Sequence, residues 1–239
     1  MSRPLIIAID GPSGAGKGTV SRRVAEALGY RHVDTGVMYR VVAWQALQQG
    51  LGLDDEPALA ELAARVAIES DGPLVRANGV DVTRAIRTPT IDGAASAVSR
   101  LPRVREALVR RQRAMGAAGG IVMEGRDIGT VVFPDADVKI YLDASPDVRA
   151  RRRVHDRAHA GNGTPESVVA AEMQKRDRSD STRAASPLAI AGGAVVIDTT
   201  TLTIEQVVER VLGVVGSRDQ GSGIGDRGSG IGDRKPGRC

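Results

Sequence analysis

A glycine-rich segment near the start of the chain, GPSGAGKGT at 11–19, most constrains what this sequence can fold into. It follows the apolar run LIIAI at 5–9 and precedes TVSRRVAEAL, in which Val20, Val24 and Leu28 recur at helical spacing. A strand, a glycine loop and a helix in this order are typical of a phosphate-binding loop. The segment therefore predicts an α/β protein that binds a nucleotide or a similar polyphosphate.

The residues of this loop have different expected tasks. The glycines let backbone N–H groups approach phosphate oxygens at angles that a Cβ would forbid, and Lys17 brings a charge to the terminal phosphates. Gly18 stands where such loops commonly carry the Ser or Thr that ligates Mg²⁺, and Thr19 comes one residue late. A glycine turn with a purely structural role is the alternative interpretation. The residues expected to bind the nucleotide phosphates are Gly11, Pro12, Ser13, Gly14, Ala15, Gly16, Lys17, Gly18 and Thr19.

Short apolar, β-branched runs alternate with helical patterns along the chain. We predict strands at 5–9, 32–33, 121–123, 138–142 and 194–197. This alternation favours a parallel sheet covered by helices. Because ligands of such sheets bind at the carboxyl ends of the strands, the site is expected there.

Other segments depart from this alternation or mark helix starts. An Asn78-Gly79 turn between alternating residues predicts a small antiparallel hairpin within 66–87. Ser145-Pro146 and Thr164-Pro165 each predict a capped helix start with proline at the first helical position. Thr203 and Gln206 form a capping box for a last helix.

Gly216 is predicted to end that last helix. Beyond it, GSGIGDR occurs twice, at 221–227 and 228–234. A glycine-rich segment with too few apolar residues for a core cannot offset the entropy of ordering, so we predict that 217–239 is a disordered tail.

Charge and composition exclude several classes of function. Half of the formal net charge of +4 comes from the tail, and the few aromatic residues form no stacking platform, so nucleic acid is not the expected partner. The run at 5–9 is too short for a membrane span or a secretory signal, which predicts a cytoplasmic protein. Cys239 is the sole cysteine, so no internal disulfide can form.

The segment DTGVMYR at 34–40 follows the second predicted strand. Its spacing can bring the Thr35 hydroxyl, a helix N-terminus and Arg40 together toward an anion. The stretch alone leaves open that Arg40 is a solvated residue on a helix face.

Four separated motifs carry a specific resemblance. EGRDIGTVVFPDA at 124–136 and LPRVREALVRRQR at 101–113, together with DTGVMYR and the glycine loop, resemble bacterial cytidylate kinases, which are nucleoside monophosphate kinases. The likeness extends over residues 1–216 and does not include the tail. Loops of these kinases read GKGT, and their Mg²⁺ is held mainly by ATP phosphates and water.

The resemblance implies transfer of the γ-phosphoryl group of ATP to CMP or dCMP, giving ADP and CDP or dCDP. It implies a five-stranded parallel sheet of the P-loop type with flanking helices, a monophosphate-binding insert at about 35–100 and a helical lid at about 149–183. A monomer is expected, with ATP and Mg²⁺ as cofactors.

The resemblance also assigns roles to single residues. It assigns Thr35, Arg40 and Arg126 as contacts of the acceptor's phosphate. It assigns Ser96, Arg105 and Asp127 as contacts of the acceptor's base. Arg176, Asp180 and Arg183 are assigned as contacts of the ribose and the transferring phosphates. The lid contacts to ATP are Arg153 and Arg157, and the catalytic set is Lys17, Arg40, Arg126 and Arg183.

The chemistry of such a transfer agrees with these residue types. The attacking phosphate oxygen is already anionic, so no side-chain nucleophile or general base is needed, and we read His32, His155 and His159 as structural or surface groups. A carboxylate such as Asp127 accepts from the N4 amino group of cytosine and repels O4 of uracil, while Arg105 donates toward N3 or O2.

Three other functions are alternatives to this one. Another small-acceptor kinase, of the adenylate or shikimate type, is the nearest alternative. A GTPase-like switch would need a guanine-reading NKxD motif, which the sequence lacks. A basic nucleic-acid binder would show steeply salt-dependent affinity for oligonucleotides and no turnover of small molecules.

Overall fold

The computed structural model of the protein describes residues 3–156 and 165–221. In chain order its elements are β1 (Ile6–Asp10), α1 (Lys17–Leu28), β2 (Arg31–Asp34), α2 (Thr35–Gln48), α3 (Glu56–Arg65), β3 (Ile68–Asp71), β4 (Leu74–Ala77), β5 (Val80–Asp81), α4 (Pro89–Val98), α5 (Pro102–Gly116), β6 (Ile121–Gly125), a π-helical turn (Ile128–Val132), β7 (Val138–Asp143), α6 (Pro146–His155), α7 (Glu166–Thr182), β8 (Val195–Asp198) and α8 (Ile204–Gly221).

The five predicted strands form one parallel sheet in the order β2-β6-β1-β7-β8. β1 lies at its centre, with Asp10 opposite Gly125 of β6 and Tyr141 of β7. On β2, Asp34 lies opposite Glu124. The carboxyl ends of β1, β2 and β6 therefore bring their last polar residues to one edge of the sheet, as the sequence predicts.

Both faces of the sheet are covered, and the insert has a core of its own. On one face, Val24 of α1 and Val211 of α8 pack with the fully buried Ile7 and Ile9 of β1. The α2–α5 helices and the small sheet share a separate cluster of apolar residues. This cluster fixes α2 against α4.

The antiparallel insert has one strand more than the hairpin that the sequence predicts. Asn78 and Gly79, with φ of 49° and 80°, form the predicted turn between β4 and β5. β3 pairs with the other edge of β4. The β3 sequence IESD has no apolar alternation, which explains why the pattern did not identify it.

The starts of the last three helices agree with the prediction in part. α6 begins at Pro146 as predicted, but Ser145 makes no side-chain cap. α7 begins at Glu166, one residue later than predicted, and Thr164 lies outside the described residues. The capping box is confirmed, because Thr203 N donates to Gln206 Oε1 at 3.0 Å and Gln206 N donates to Thr203 Oγ1 at 3.3 Å.

The prediction that Gly216 ends α8 is wrong, because the helix continues to Gly221. One glycine costs only roughly 1 kcal/mol inside a helix, and the Ser217 hydroxyl donates to the carbonyl oxygen of Val214 at 2.8 Å across this position. The first residues of the predicted tail are therefore helical, and 222–239 lie outside the described residues. In the described ranges, no helix has the length and apolar character that a membrane span needs.

Candidate active site

A cavity of about 870 Å³ opens at the carboxyl ends of β1, β2 and β6. Most of the residues that the sequence predicts for the site line it. From the glycine loop these are Ser13, Gly14, Ala15, Gly16, Lys17, Gly18 and Thr19. From the rest of the chain these are Thr35, Arg40, Arg105, Arg126, Asp127, Arg153, Arg176, Asp180 and Arg183.

Three predicted contacts are not among the lining residues, and a fourth lies outside the description. Gly11 and Pro12 lie behind the loop, and Ser96 lies half-buried on α4. Ser99, one turn further along, lines the cavity where Ser96 was predicted to do so. Arg157 lies outside the described residues.

Glycine is required at position 11 for a structural reason other than the predicted approach to phosphate. The φ of Gly11 is +148°, and a Cβ at this position would lie 2.0 Å from the carbonyl oxygen of Leu142 on β7. The missing side chain therefore lets the loop pass closely over the sheet. At Gly16, by contrast, φ is +90° and no atom lies within 4 Å of an added Cβ, so the backbone there is free to face phosphate.

Lys17 begins α1 and is buried beneath the loop. Its Nζ donates a hydrogen bond of 2.7 Å to the carbonyl oxygen of Pro12. Burial, and after it the nearby charge of Arg126, lowers the pKa of Lys17 to about 7. An anion at the mouth of the loop would favour the charged ammonium.

The start of α2 supplies the next group of predicted residues. Asp34 caps the helix by accepting from Gly36 N at 2.9 Å. The buried Thr35 hydroxyl donates to the carbonyl oxygen of Glu124 at 2.7 Å and so ties α2 to β6. Arg40, one turn later, donates to the carbonyl oxygen of Ile86 at 3.1 Å and pairs with Asp92.

Arg126, directly after β6, and Arg176 of α7 both line the cavity. Arg126 Nε lies 3.0 Å from Asp180 Oδ2. The buried Nε of Arg176 has no hydrogen-bond partner in the described part of the chain. Burial, together with the charge of Arg126, lowers the pKa of Arg176 to about 10. A buried guanidinium with an unused donor favours an anionic ligand, because leaving a charged donor unsatisfied is costly.

A third group lies at the far end of the cavity. Asp127 pairs with Arg105 through Oδ2 and lies 3.7 Å from Arg183 Nη2 through Oδ1. Arg105 also donates to the carbonyl oxygen of Ser99 at 3.1 Å, and its guanidinium lies 5.5 Å from the centre of the Tyr39 ring. These contacts hold a carboxylate and a guanidinium in fixed positions, as recognition of a polar ring requires.

Asp10 supports the wall of the site and was not among the predicted residues. Its two carboxylate oxygens accept from Ile128 N at 2.9 Å and Gly129 N at 2.7 Å, and so hold the π-helical turn that follows Asp127. Burial raises the pKa of Asp10 to about 6. The sequence could have indicated Asp10 by its position, because it is the last residue of the strand that leads into the glycine loop.

Glu124 and His32 were also missed. His32 Nε2 lies 2.9 Å from Glu124 Oε1, and both residues line the cavity. Burial, and then the charge of Asp34, raises the pKa of Glu124. His32 and His155 are thus residues of the cavity wall, and His159 lies outside the described residues.

Gly18 lies directly beside Glu124. A Cβ at Gly18 would be 3.4 Å from Glu124 Oε1, an ordinary van der Waals contact. The carboxylate thus lies near the place of the hydroxyl that this loop lacks. Across the described ranges, no group of three or more His, Cys, Asp or Glu residues is arranged to hold a metal ion by itself.

Comparison with known proteins gives consistent results over nearly the whole chain. The sequence model of the family described as cytidylate kinase matches residues 7–217. The cytidylate kinase of Syntrophotalea carbinolica is 50% identical over 224 residues, which cover 92% of this chain and 95% of that protein. The cytidylate kinase of Solibacter usitatus is 49% identical over 216 residues, which cover 90% and 93%.

Solved structures are more distant. A shikimate kinase from Acinetobacter baumannii is 16% identical and has a TM-score of 0.44, with 90% of this chain and 94% of that chain covered. This likeness is too low to add to the sheet order described above.

Proposed function

The chain belongs to the cytidylate kinase family, and we propose that its cavity binds ATP on the glycine loop and CMP or dCMP against Arg40, Arg126 and Arg176. The protein is an ATP-dependent phosphotransferase that converts CMP or dCMP to the diphosphate. The placement of each nucleotide and the role of each residue are the proposal.

The ATP side of the cavity is formed by the glycine loop and the start of α1. Residues 13–19, which include the first residues of α1, line the cavity, and the backbone N–H groups at a helix N-terminus suit the phosphates of ATP. Lys17 would exchange the Pro12 carbonyl for a phosphate oxygen. Arg149 supports the loop from behind by donating to the carbonyl oxygen of Ser13 at 3.1 Å.

The acceptor side carries most of the support for the proposal. Arg40, Arg126 and Arg176 all line the cavity, and the buried Arg176 Nε is without a partner among the described residues. The phosphate of CMP would satisfy this donor. Each hydrogen bond between a charged group and a phosphate oxygen contributes roughly 1.5–3 kcal/mol, so several together can overcome the repulsion between two polyanions.

The reaction needs positioning and charge neutralisation. An anionic oxygen of the CMP phosphate attacks the γ-phosphorus of ATP, the bond from that phosphorus to the β-phosphate oxygen breaks, and ADP leaves. In this mechanism Lys17 and the arginines hold the two phosphates in line and offset the charge on the transferring group. No residue of the chain has to accept a proton from the attacking oxygen.

The base is proposed to lie at the end that holds Arg105 and Asp127. Asp127 has two acceptor oxygens, so it can accept from the cytosine amino group while it keeps its pair with Arg105. Uracil would place an acceptor there and meet repulsion. Ser96 has the least structural support among the predicted base contacts, because Ser99 rather than Ser96 lines the cavity.

Magnesium fits the residues near the loop. With Gly18 in place of a hydroxyl residue, Glu124 and Asp34 are the carboxylates nearest to the loop that could hold waters of an ATP-bound ion. When bound, Mg²⁺ would neutralise phosphate charge. The cytoplasmic location, the monomeric state and the absence of nucleic-acid binding stay predictions.

An acceptor panel with the full chain, ATP and Mg²⁺ tests the proposal by coupled detection of ADP. CMP and dCMP are expected to consume ATP, whereas AMP and shikimate are not. Faster turnover of AMP or shikimate than of CMP would favour the alternative kinase types and contradict the assignment of the base site.

A further inference from the structure

Asp92 contacts arginines from two different sides of the cavity. One carboxylate oxygen, Oδ1, pairs with Arg40 of α2, and the other, Oδ2, accepts from Arg153 Nη2 of α6 at 2.6 Å. Arg40 lies on the side proposed for the CMP phosphate. Arg153 is the described arginine predicted to contact ATP.

The backbone of Asp92 is held in place. α4 begins at Pro89, and Thr88 Oγ1 caps it by accepting from Ile91 N at 3.3 Å. Asp92 N donates to the carbonyl oxygen of Thr88 at 2.9 Å. The buried Ile91 packs in the same apolar cluster as α2. Asp92 and Arg40 therefore move together, whereas Arg153 belongs to a helix outside that cluster.

The two ion pairs are shielded from solvent. The side chain of Asp92 is 19% exposed, and those of Arg40 and Arg153 are 15% and 19% exposed. Several guanidinium groups crowd this region, since Arg40 and Arg126 both act on Arg176. A carboxylate that contacts both Arg40 and Arg153 offsets their mutual repulsion and holds them at a fixed separation.

We propose that Asp92 is a positioning residue that couples the two nucleotide sites, an inference that rests on the function proposed above. When CMP fixes Arg40, the shared carboxylate orients Arg153 for ATP, and the reverse holds when ATP binds first. Thermodynamic linkage requires the same coupling factor in both directions.

Loss of the charge at Asp92 should leave each arginine with other contacts. Arg40 still donates to the carbonyl oxygen of Ile86, and Arg153 still lies 3.7 Å from Asp156. Asp92→Asn, which keeps the size of the side chain, should therefore weaken the connection between the two sites more than it weakens either site alone.

Isothermal titration calorimetry on the full chain tests this inference. CMP is titrated with and without a non-hydrolysable ATP analogue and Mg²⁺, and the ratio of the two Kd values gives the coupling factor. We expect D92N to lower this factor by about fivefold or more, while Kd for CMP alone changes less. The KM for CMP at saturating ATP should rise in D92N by a similar factor, because it reflects CMP binding to the ATP complex.

Glu69→Gln is the matched control. It removes the charge of an exposed ion pair within the same insert, Glu69 with Arg76 at 3.8 Å, and should leave coupling and turnover unchanged. If D92N has a much lower Tm, Arg153→Gln is the second variant. It leaves the Asp92–Arg40 pair in place and should reduce coupling in the same way.

The possible outcomes separate this inference from the proposed function. A wild-type protein that does not turn over CMP contradicts the function. A wild-type protein that turns over CMP with a coupling factor of one, or with a factor that D92N and R153Q leave unchanged, overturns the role of Asp92 alone.

Discussion

The Nζ of Lys17 donates to the carbonyl oxygen of Pro12 at 2.7 Å, five residues earlier in the same loop. Burial, and then Arg126, lowers the pKa of this ammonium to about 7. Nucleotide phosphates stabilise the charged form and raise that pKa, so binding above pH 7 should take up a proton. The affinity for ADP should fall as pH rises from 7 toward 9, by about tenfold per unit at most.

Calorimetry of ADP binding at pH 8, in two buffers of different ionisation enthalpy, measures this uptake. Lys17→Arg, which stays charged throughout the range, should bind ADP with little proton uptake. Equal proton counts for the wild type and K17R would show that Lys17 does not titrate in this range.

Asp10 should contribute to stability through the two amides that it accepts from. Asp10→Ala leaves Ile128 N and Gly129 N buried without this partner, at about 1–3 kcal/mol for each group, and should lower the free energy of unfolding accordingly. Urea denaturation followed by circular dichroism measures the loss. A change in the free energy of unfolding below about 0.5 kcal/mol would contradict the role of Asp10 in holding the π-helical turn.

The raised pKa of Asp10 predicts a pH dependence of the same quantity. Because the folded pKa of about 6 lies above the ordinary value of 3.8, its contribution is full below about pH 4 and is lost as pH rises through 6. Asp10→Asn cannot titrate, so its stability should decline less than that of the wild type between pH 4 and 6. Parallel stability curves for the two proteins would rule out this titration.

Glu124 should influence Mg²⁺ through its place beside Gly18. We expect Glu124→Gln to weaken the apparent Mg²⁺ affinity of the ADP complex by about tenfold, with little change in ADP binding in EDTA. Adding Gly18→Ser supplies the missing hydroxyl in a position that has room for a Cβ, so the double variant should recover part of the loss. Equal Mg²⁺ dependence in the wild type and E124Q would exclude this role.

Asp127 should set the preference for cytosine. Asp127→Asn replaces one acceptor oxygen by a donor, so the ratio of kcat/KM for CMP to that for UMP should fall by about 10- to 100-fold. A steady-state comparison of the two acceptors measures this ratio, with Glu69→Gln as a control that should keep it. An unchanged ratio in D127N would place base selection elsewhere.

Much of the fold could be predicted because its signals are local. Each strand of the main sheet is a β-branched run that ends at a polar residue or a glycine, and the Asn78-Gly79 turn is read from its own dipeptide. The third strand of the insert and the last turn of α8 have no such local signal. Glycine is common just after a helix but costs only roughly 1 kcal/mol inside one, so Gly216 alone does not fix where α8 ends.

Most residues of the site could be predicted from the sequence, but the contacts between them could not. Position-by-position resemblance identified most of the arginines that line the cavity. The pairing of Asp92 with Arg153 joins residues 61 positions apart, and no local pattern indicates such a contact. In the same way, the reason for Gly11 is the carbonyl oxygen of Leu142, which only the pairing of β1 with β7 brings near.

The carboxylates that hold the cavity arginines have a consequence for the heat of binding. Arg126 is paired with Asp180, so a phosphate that binds Arg126 replaces a contact rather than only adding one. The net enthalpy is then the small difference between old and new partners.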